Sequence, residues 1–367
     1  MNRMIVGNLV HRPIRSVISM VAVALEVTLI LLIVGLSLGI LQDSRTRTTG
    51  IGADVIVLPP ASSAIIGLTG APMPIKIGGV LAKLPHVVFV SPVVTQISTS
   101  GALEIIAGID LNGYQQLSGP FHYLDGGPFQ NPYDAIVDDV FARAKHVKAG
   151  DTLEILNHEF RVAGVIESGK GARKFIPLGT MQDLNGSQGK ASTFYLKLDN
   201  PDNANAVVDE IKHVPGMQQY GARSMREYIS MMTPANYPGL STFIQVVIWI
   251  SVVIGVIAIF QAMYTAVMER TREIGILKAM GASRLYIVNV VLRETVLLAL
   301  GGVALGIVVS LSARAALAQK LPLLQVIVAG NWILYATLIA IGSALAGALY
   351  PAYKAAQKDP IDALAYE

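Results

Sequence analysis

The sequence contains no cysteine and little charge. Without a thiol, the 367-residue chain can form no disulfide, no thiolate nucleophile and no cysteine-ligated zinc site. Only 14% of its residues are charged, whereas 53% are hydrophobic, and its mean hydropathy is +0.54. Soluble domains carry about a quarter charged residues. The composition therefore excludes an ordinary soluble protein and indicates an integral membrane protein.

Further absences narrow the function. The six histidines lack the paired spacing of a zinc site, and no nucleophile, base and acid form a catalytic set. Residues 42–242 contain 16 basic and 18 acidic residues, which argues against nucleic acid as a partner. The stretch 164–170 resembles a phosphate-binding loop, but Gly171 stands where a Ser or Thr should hold magnesium. We therefore expect no catalytic residue, metal site or cofactor in this chain.

Long apolar runs are what the sequence does contain, and four of them are long enough to cross a bilayer. The pattern predicts an α-helical membrane protein with four transmembrane helices and an α/β extracytoplasmic domain inserted between helices 1 and 2. The predicted segments are an interfacial helix at 1–15, transmembrane helices at 16–41, 243–268, 287–311 and 332–350, the extracytoplasmic domain at 42–242, a charged cytoplasmic helix at 269–286, an outer loop at 312–331 and a cytoplasmic tail at 351–367.

The inserted domain has a mixed β and α texture. Strands are predicted at 53–58, 103–109, 152–156, 160–166 and 193–198, with helices at 204–213 and 224–232 and a hairpin turn at Asn157-His158. Loops rich in Gly and Pro separate these stretches. We therefore expect several small α/β lobes rather than one long sheet.

Basic residues indicate the orientation. The predicted outer loop contains only Arg314 and Lys320, whereas the predicted cytoplasmic flanks contain Arg3, Arg12, Arg15, Arg270, Arg272, Lys278, Arg284, Lys354 and Lys358. Because positive residues accumulate on the cytoplasmic side, both termini are predicted to be cytoplasmic. Small residues in the last two runs, Gly301, Gly302, Gly306, Gly342, Ala344, Ala346 and Gly347, predict faces where helices approach closely.

The segment ERTREIGILKAMGAS, residues 269–283, lies between two of the apolar runs. It is charged and helix-forming, and Gly281 supplies a helix stop. Its apolar residues are too many for a solvated connector, so we expect another surface to pack on it. A helix lying on anionic lipid is the alternative, although Glu269 and Glu273 suit a protein partner with charges of both signs.

Glu26 is the only charged residue in the first apolar run. A carboxylate in mid-bilayer costs about 2.5 kcal/mol or more and usually faces a bundle interior or a cavity. Glu26 could line a substrate path, contact a cationic amphiphile, ligate a haem-like metal centre or be protonated. The structural alternative is a hydrogen bond to, or pairing with, a neighbouring helix. Tyr237, Phe243 and Trp249 form either an interfacial belt or the entrance to that path.

Four stretches resemble one known family: NLVHRPIRSVIS at 8–19, VFARAKHVKAGDTLEILNHEFRVAGVIES at 140–168, ERTREIGILKAMGAS at 269–283 and YPAYKAAQKDPIDALAYE at 350–367. Together with the order of the segments, they are similar to the FtsX-like permeases of ABC transporters, in particular the four-span MacB-type members, also called type VII. The resemblance covers essentially the whole chain and implies that the extracytoplasmic domain is of the MacB-like type.

The resemblance also implies partners. Family members are homodimers that bind two copies of a separate ABC ATPase, which carries the ATP and magnesium, and they sit in the bacterial plasma (inner) membrane. An extracytoplasmic adaptor protein stays open as a further partner. The residues implied in ATPase coupling are Glu269, Arg270, Arg272, Glu273, Gly275, Lys278, Gly281, Asp359 and Pro360.

The implied function is ATP-driven efflux or extraction by mechanotransmission. The substrate would be hydrophobic or amphiphilic, a drug, peptide, lipid or haem, and its path would contain Glu26, Tyr237, Phe243 and Trp249. The alternative is a non-transporting regulator that relays ATPase-driven motion to an extracytoplasmic protein such as a cell-wall hydrolase. In either case the chain is not an enzyme by itself.

Overall fold

The computed structural model describes residues 13–60, 62, 71–98, 104–237 and 239–358. Their α-helices are α1 (Pro13–Thr49), α2 (Lys76–Leu81), α3 (Leu111–Ser118), α4 (Asp139–Lys145), α5 (Leu178–Leu184), α6 (Ala204–His213), α7 (Met225–Ser230), α8 (Leu240–Glu269), α9 (Thr271–Ala279), α10 (Arg284–Lys320) and α11 (Gly330–Gln357). Their strands are β1 (Val55–Leu58), β2 (Met73–Pro74), β3 (Val87–Ser98), β4 (Glu104–Ile109), β5 (Tyr123–Gly126), β6 (Asp134–Asp138), β7 (Thr152–Ile155), β8 (His158–Ile166), β9 (Lys174–Pro177), β10 (Lys190–Ala191), β11 (Thr193–Leu198) and β12 (Gly221–Ser224).

Four helices, α1, α8, α10 and α11, are long and apolar enough to cross a membrane, as the sequence predicts. All four extend beyond the predicted spans, and the longest extensions are at the ends of α1, which continues to Thr49, of α10, which continues to Lys320, and of α11, which continues to Gln357. The extension of α10 is rich in Ala, which favours helix, and that of α1 contains an i,i+4 ion pair between Asp43 and Arg47. Hydropathy indicates which residues lie in lipid. Residues beyond that segment that favour helix extend the helix past it.

The chain forms two compact units. The helical unit comprises the described parts of Met1–Leu38, Gly239–Gln319 and Val326–Glu367, and the sheet unit comprises those of Gly39–Pro238 and Lys320–Gln325. In the helical unit, α11 contributes a buried row of alanines at about four-residue spacing, Ala336, Ala340, Ala344, Ala348, Ala352, Ala355 and Ala356. Small side chains let neighbouring helices approach closely.

Some of the predicted small residues pack against a neighbouring helix of this chain, and others do not. A Cβ on Gly302 would lie 2.6 Å from Val23 Cβ, and one on Gly306 would lie 2.8 Å from the Ala24 carbonyl oxygen, so α10 packs closely on α1 there. Gly347 similarly contacts the backbone of α8. A Cβ on Gly342 would have no described residue within 4 Å, and Ala346 is exposed, because both lie on the opposite side of α11.

The sheet unit contains one mixed sheet of ten strands among the described residues. Its order is β12-β1-β11-β3-β4-β9-β6-β8-β5, with β7 also paired to β8, and β2 and β10 form a separate pair. The expectation of several small lobes was therefore wrong. The loops interrupt the sequence but not the hydrogen-bonding ladder, because the 12-residue strand β3 pairs with both β11 and β4.

The predicted elements of this domain are confirmed within two residues at each end. The hairpin between β7 and β8 is displaced by one residue from the predicted turn. Its two connecting residues are Leu156 and Asn157, with φ angles of 52° and 64°, and Ile155 pairs with His158. A two-residue turn with positive φ at both positions matches the twist of the flanking strands, so His158 belongs to β8.

Candidate functional site

The segment between α8 and α10 forms the short helix α9, whose two faces differ. Ile274 and Gly275 are buried, whereas Arg272 and Glu273 are exposed. Gly281, with φ of +95°, follows the end of the helix. This glycine is needed because left-handed backbone strains any residue with a Cβ. The prediction that Gly281 ends the helix is confirmed.

Backbone hydrogen bonds complete this helix end. The Ala282 N–H donates to the Leu277 carbonyl over 3.0 Å, and the Gly281 N–H donates to the Lys278 carbonyl over 3.0 Å. These two bonds form a Schellman motif, which satisfies carbonyls that the helix leaves open. The end of α9 therefore determines the position at which α10 begins.

Two of the predicted coupling residues are used inside the helical unit. The Arg270 guanidinium contacts both carboxylate oxygens of Glu294 at 3.0 and 3.3 Å, and the two side chains are only 12% and 8% exposed. Lys278 Nζ donates to the carbonyls of Ala356 and Lys358, at 3.0 and 2.5 Å, near the end of α11. Arg270 and Lys278 thus connect α9 with α10 and α11, because charged donors bond strongly to buried acceptors.

Four exposed side chains, three on α9 and one on the residue that follows it, define what we call the coupling surface: Arg272, Glu273, Ile276 and Met280. Arg272, Ile276 and Met280 follow one another at four-residue spacing and so lie along one stripe. Ile276 is 44% exposed and Met280 is 72% exposed. Glu269, at the end of α8, is also exposed. Asp359 and Pro360, the remaining predicted coupling residues, lie outside the described residues.

Glu26, on α1, is fully buried in the helical unit, where its carboxyl group contacts α8 and α11. The Ser343 hydroxyl lies 2.9 Å from both Glu26 carboxyl oxygens and 3.0 Å from the Ala340 carbonyl. A Cβ on Gly255 would overlap Glu26 Oε2, so α8 must present a glycine there. The packing provides a hydrogen bond to a neighbouring helix, which the sequence left open as the structural alternative.

The other residues of the predicted substrate path are not gathered around Glu26. Phe243 and Trp249 are 52% and 69% exposed on α8, whereas Glu26 has no exposed surface. Tyr237 belongs to the sheet unit and is half-buried. The exposure of Phe243 and Trp249 suits side chains that face lipid, where amphipathic rings are common near the interface.

A buried ion-pair network in the sheet unit was not foreseen. Arg173 is 10% exposed and donates to Asp43 at 2.9 Å and to Asp138 at 3.0 Å. Asp43 also accepts from Arg47, and the Asp138 carboxylate accepts from the Phe141 N–H at 2.7 Å, which caps α4. The sequence shows the i,i+4 pair of Asp43 and Arg47 but gives no signal that Arg173, 130 residues further on, joins it.

Burial controls the electrostatics of this network. Removal from water raises the pKa of Asp138 from its usual 3.8 to about 6, although the Arg173 charge and the Phe141 N–H both lower it. Asp139 adds a smaller effect that raises the pKa, and Arg47 adds one that lowers it. By contrast, hydrogen bonds from Arg161 and from two backbone N–H groups lower the pKa of Asp134, outweighing its burial. Burial therefore moves the pKa of Asp138 toward neutral pH.

Two family profiles match the chain. The MacB-like periplasmic core domain matches residues 16–214, which is more than half of the chain. The FtsX-like permease C-terminal domain matches residues 245–360. Together they cover most of α1, every strand of the sheet except β12, α8 from residue 245 onward, and α9 to α11, which include the coupling surface. The chain therefore belongs to the family of MacB/FtsX-like ABC transporter permeases, and the resemblance seen in the sequence is confirmed.

Individual relatives are more distant. The chain is 25% identical over 391 residues to the macrolide export ATP-binding/permease protein MacB of a Shewanella species, covering 97% of this chain and 59% of that protein. It is 30% identical over 226 residues to the uncharacterized ABC transporter permease YknZ of Bacillus subtilis, covering 59% of this chain and 55% of the relative. The chain thus spans less than two thirds of the length of these relatives.

A solved structure shows a partial likeness. The periplasmic region of MacB from Actinobacillus actinomycetemcomitans superposes with a TM-score of 0.39 and 14% identity, covering 50% of this chain and 94% of that one.

Proposed function

We propose that this chain is the permease subunit of an ATP-driven ABC transporter, and that α9 is the helix on which a separate ABC ATPase docks. The observation that carries the proposal is the coupling surface. Arg272 and Glu273 offer charges of both signs, while Ile276 and Met280 are apolar and exposed. A helix lying on anionic lipid would favour basic residues alone, so this mixture suits a protein partner better.

The anchoring of α9 supports a role in transmitting force. The Arg270–Glu294 ion pair and the Lys278 hydrogen bonds connect α9 directly to α10 and α11. A push on the coupling surface would therefore displace these helices rather than only bend a loop. We propose that the machine contains two copies of the permease and two of the ATPase, and that ATP-driven closure of the ATPases moves the helices.

The transported substrate would be hydrophobic or amphiphilic. A MacB relative is described as a macrolide exporter, and macrolides are one example of that class. The proposed substrates include drugs, peptides, lipids and haem. ATP and magnesium would bind to the partner, and movement of the extracytoplasmic domain would release or hand over the substrate, with or without an adaptor protein.

The packing around Glu26 favours a second candidate, a transmembrane relay. A substrate path through the helices should leave space beside this carboxylate, yet Glu26 is fully buried against Ser343 and the backbone at Gly255. Tightly packed helices suit a protein that passes motion to an extracytoplasmic partner, such as a cell-wall hydrolase, without moving cargo.

The coupling surface is tested with the full-length chain, its ABC ATPase and the double variant Ile276→Asp/Met280→Asp. We expect the ATPase to be lost from co-purification and the permease-dependent ATP hydrolysis to fall to that of the ATPase alone, because two carboxylates replace exposed apolar contacts. Gly275 is left unchanged because it is buried, so its replacement would disturb packing as well as docking.

The matched control is Leu124→Asp, since Leu124 is 63% exposed on β5 in the sheet unit. It should keep both the complex and the activity. Normal co-purification of the double variant would contradict docking on α9. Candidate amphiphiles added to the reconstituted complex separate the two functions: stimulation of ATP hydrolysis supports transport, whereas stimulation only by a soluble extracytoplasmic protein supports the relay.

A further inference from the structure

A cluster of three aromatic rings and one lysine lies near the ends of α8 and α11. Lys354 Nζ is 5.5 Å from the ring centre of Tyr264 and 5.9 Å from that of Tyr350. The Phe260 ring lies 5.9 Å from both tyrosine rings. We call Phe260, Tyr264, Tyr350 and Lys354 the tyrosine–lysine cluster. It belongs entirely to the helical unit.

Close packing of two helices builds the cluster. A Cβ on Gly347 would lie 2.6 Å from the Val256 carbonyl oxygen and 3.1 Å from the Phe260 nitrogen, so α8 and α11 are in backbone contact there. The contact between Phe260 and Tyr350 lies about one turn further along both helices, and that between Tyr264 and Lys354 one turn beyond it. The two helices therefore run in the same direction and position the side chains on a fixed backbone.

The polar groups of the cluster are not satisfied by the described residues. Within the described part of the chain, Lys354 has no carboxylate within 4.0 Å and no hydrogen-bond acceptor, and the Tyr264 and Tyr350 hydroxyls have no hydrogen-bond partner. An ammonium carries three donors and each phenol carries one. The cation–π interaction holds the lysine ammonium near the rings. It does not provide a hydrogen-bond acceptor for any of these donors. The cluster therefore presents donors and a positive charge to an acceptor-rich anion.

The cluster lies where a membrane helix meets lipid headgroups. Tyr264 is five residues before the end of α8, and Lys354 is three residues before the end of α11. At a rise of about 1.5 Å per residue, both are about 5–8 Å from the helix ends. Leu349, Tyr350 and Tyr353 are each more than half exposed on this part of α11. Tyrosines and lysines at such positions face the boundary between acyl chains and headgroups.

We propose that the tyrosine–lysine cluster binds the phosphate of an acidic phospholipid in the leaflet at this end of the helices. Lys354 would supply the charge, and the Tyr264 and Tyr350 hydroxyls would donate to phosphate oxygens. The exposed apolar surface next to the cluster, including Leu349, would contact the acyl chains. A lipid fits better than a soluble anion because the cluster lies within the apolar helices α8 and α11. This site is independent of what the protein transports.

The test is native mass spectrometry of the purified full-length chain titrated with phosphatidylglycerol or with phosphatidylcholine of the same acyl chains. The wild-type chain should bind phosphatidylglycerol more tightly. Lys354→Ala should weaken that binding about tenfold, because it removes the charge-assisted bond to phosphate. The double variant Tyr264→Phe/Tyr350→Phe keeps the rings and should weaken it about threefold through the loss of two donors. Circular dichroism of each variant checks that the helices remain folded.

Lys320→Ala is the matched control, because Lys320 is an exposed lysine at the end of α10 and no described aromatic ring lies under its ammonium. It should keep the preference for phosphatidylglycerol. Equal binding of the two lipids by the wild-type chain, or an unchanged preference in Lys354→Ala, would overturn the proposal. Displacement of the lipid by an equal concentration of soluble glycerol phosphate would also overturn it, since the site would then recognise free phosphate.

Discussion

The helical unit and the sheet unit each bury a carboxylate, and they compensate for it in different ways. In the helical unit, Glu26 has no exposed surface and is met by the single hydroxyl of Ser343. In the sheet unit, Asp138 is 1% exposed and is met by the guanidinium of Arg173 and a backbone N–H. One acid is compensated by a neutral group and close packing, the other by opposite charge.

The difference follows from what each unit can supply. No basic residue lies in the apolar cores of α8, α10 and α11 at the depth of Glu26, so a hydroxyl and the missing side chain of Gly255 accommodate the acid. The sheet unit has Arg173 and Arg47 close to the charged end of α1 and can form a network. Removing one member of a network of opposite charges leaves the others buried without compensation. The packed Glu26 instead requires enough space for its carboxyl group.

The largest effect is expected for Arg173→Ala. This change leaves Asp43 and Asp138 without their shared guanidinium, so the free energy of unfolding should fall by about 3–5 kcal/mol at neutral pH. Thermal unfolding of the full chain, together with hydrogen exchange of β6, measures the loss. Arg226→Ala is the control, because Arg226 is 87% exposed and lies 3.9 Å from Asp202. Equal stability of the two variants would remove the contrast between the units.

The second effect is a pH dependence of the sheet unit. Burial raises the pKa of Asp138 to about 6, so between about pH 4 and pH 6 the folded chain retains a proton that the unfolded chain has released. The free energy of unfolding should therefore fall as pH rises through this window, by up to about 3 kcal/mol. Arg173, Arg47 and Asp139 are the charged groups that shift the pKa of Asp138, and Asp43 shares Arg173 with it.

The measurement is thermal unfolding at pH 4, 5, 6 and 7, compared between the wild-type chain and Asp138→Asn. The difference between the two isolates Asp138, because acids with lowered pKa, such as Asp134, contribute equally to both. A wild-type chain whose stability relative to the variant is constant across the window would refute the assignment.

The smallest effect concerns packing at Glu26. Gly255→Ala places a Cβ on the Glu26 carboxyl group, and we expect a loss of about 1–3 kcal/mol because the helices must separate. Gly342→Ala is the control, since none of the residues that the structure describes lies within 4 Å of a Cβ there. Gly342→Ala should be neutral or slightly stabilising in thermal unfolding, because alanine favours helix. Unchanged stability of Gly255→Ala would contradict this prediction, because it would show unoccupied space beside the Glu26 carboxyl group.

Local features were predictable from the sequence. Apolar runs predicted the four long helices, β-rich stretches predicted five of the ten strands of the sheet within two residues, and Gly281 predicted the end of α9. Each of these depends on neighbours in the chain, through periodicity, propensity or a required left-handed conformation. The hairpin turn was displaced by one residue because several residues around Asn157 tolerate turns.

The roles of particular charged residues were harder to predict. Arg270 and Lys278 belong to a charged segment whose sequence suits a partner surface, but the structure uses both inside the helical unit. Arg272 and Glu273 from the same segment remain exposed. A helix of nine residues has two faces, and sequence spacing tells which residues share a face but not which face is buried.

By itself, the sequence determined that this protein is a four-helix membrane permease with an inserted domain, because apolar runs and family motifs are local properties of the chain. Only the tertiary structure decided which side chains meet. Ser343 reaches Glu26 across 317 residues and Arg173 reaches Asp43 across 130, and such contacts depend on how the chain returns to itself. Contacts of this range are set by packing and by the pairing of buried polar groups, for which a single sequence gives no local signal.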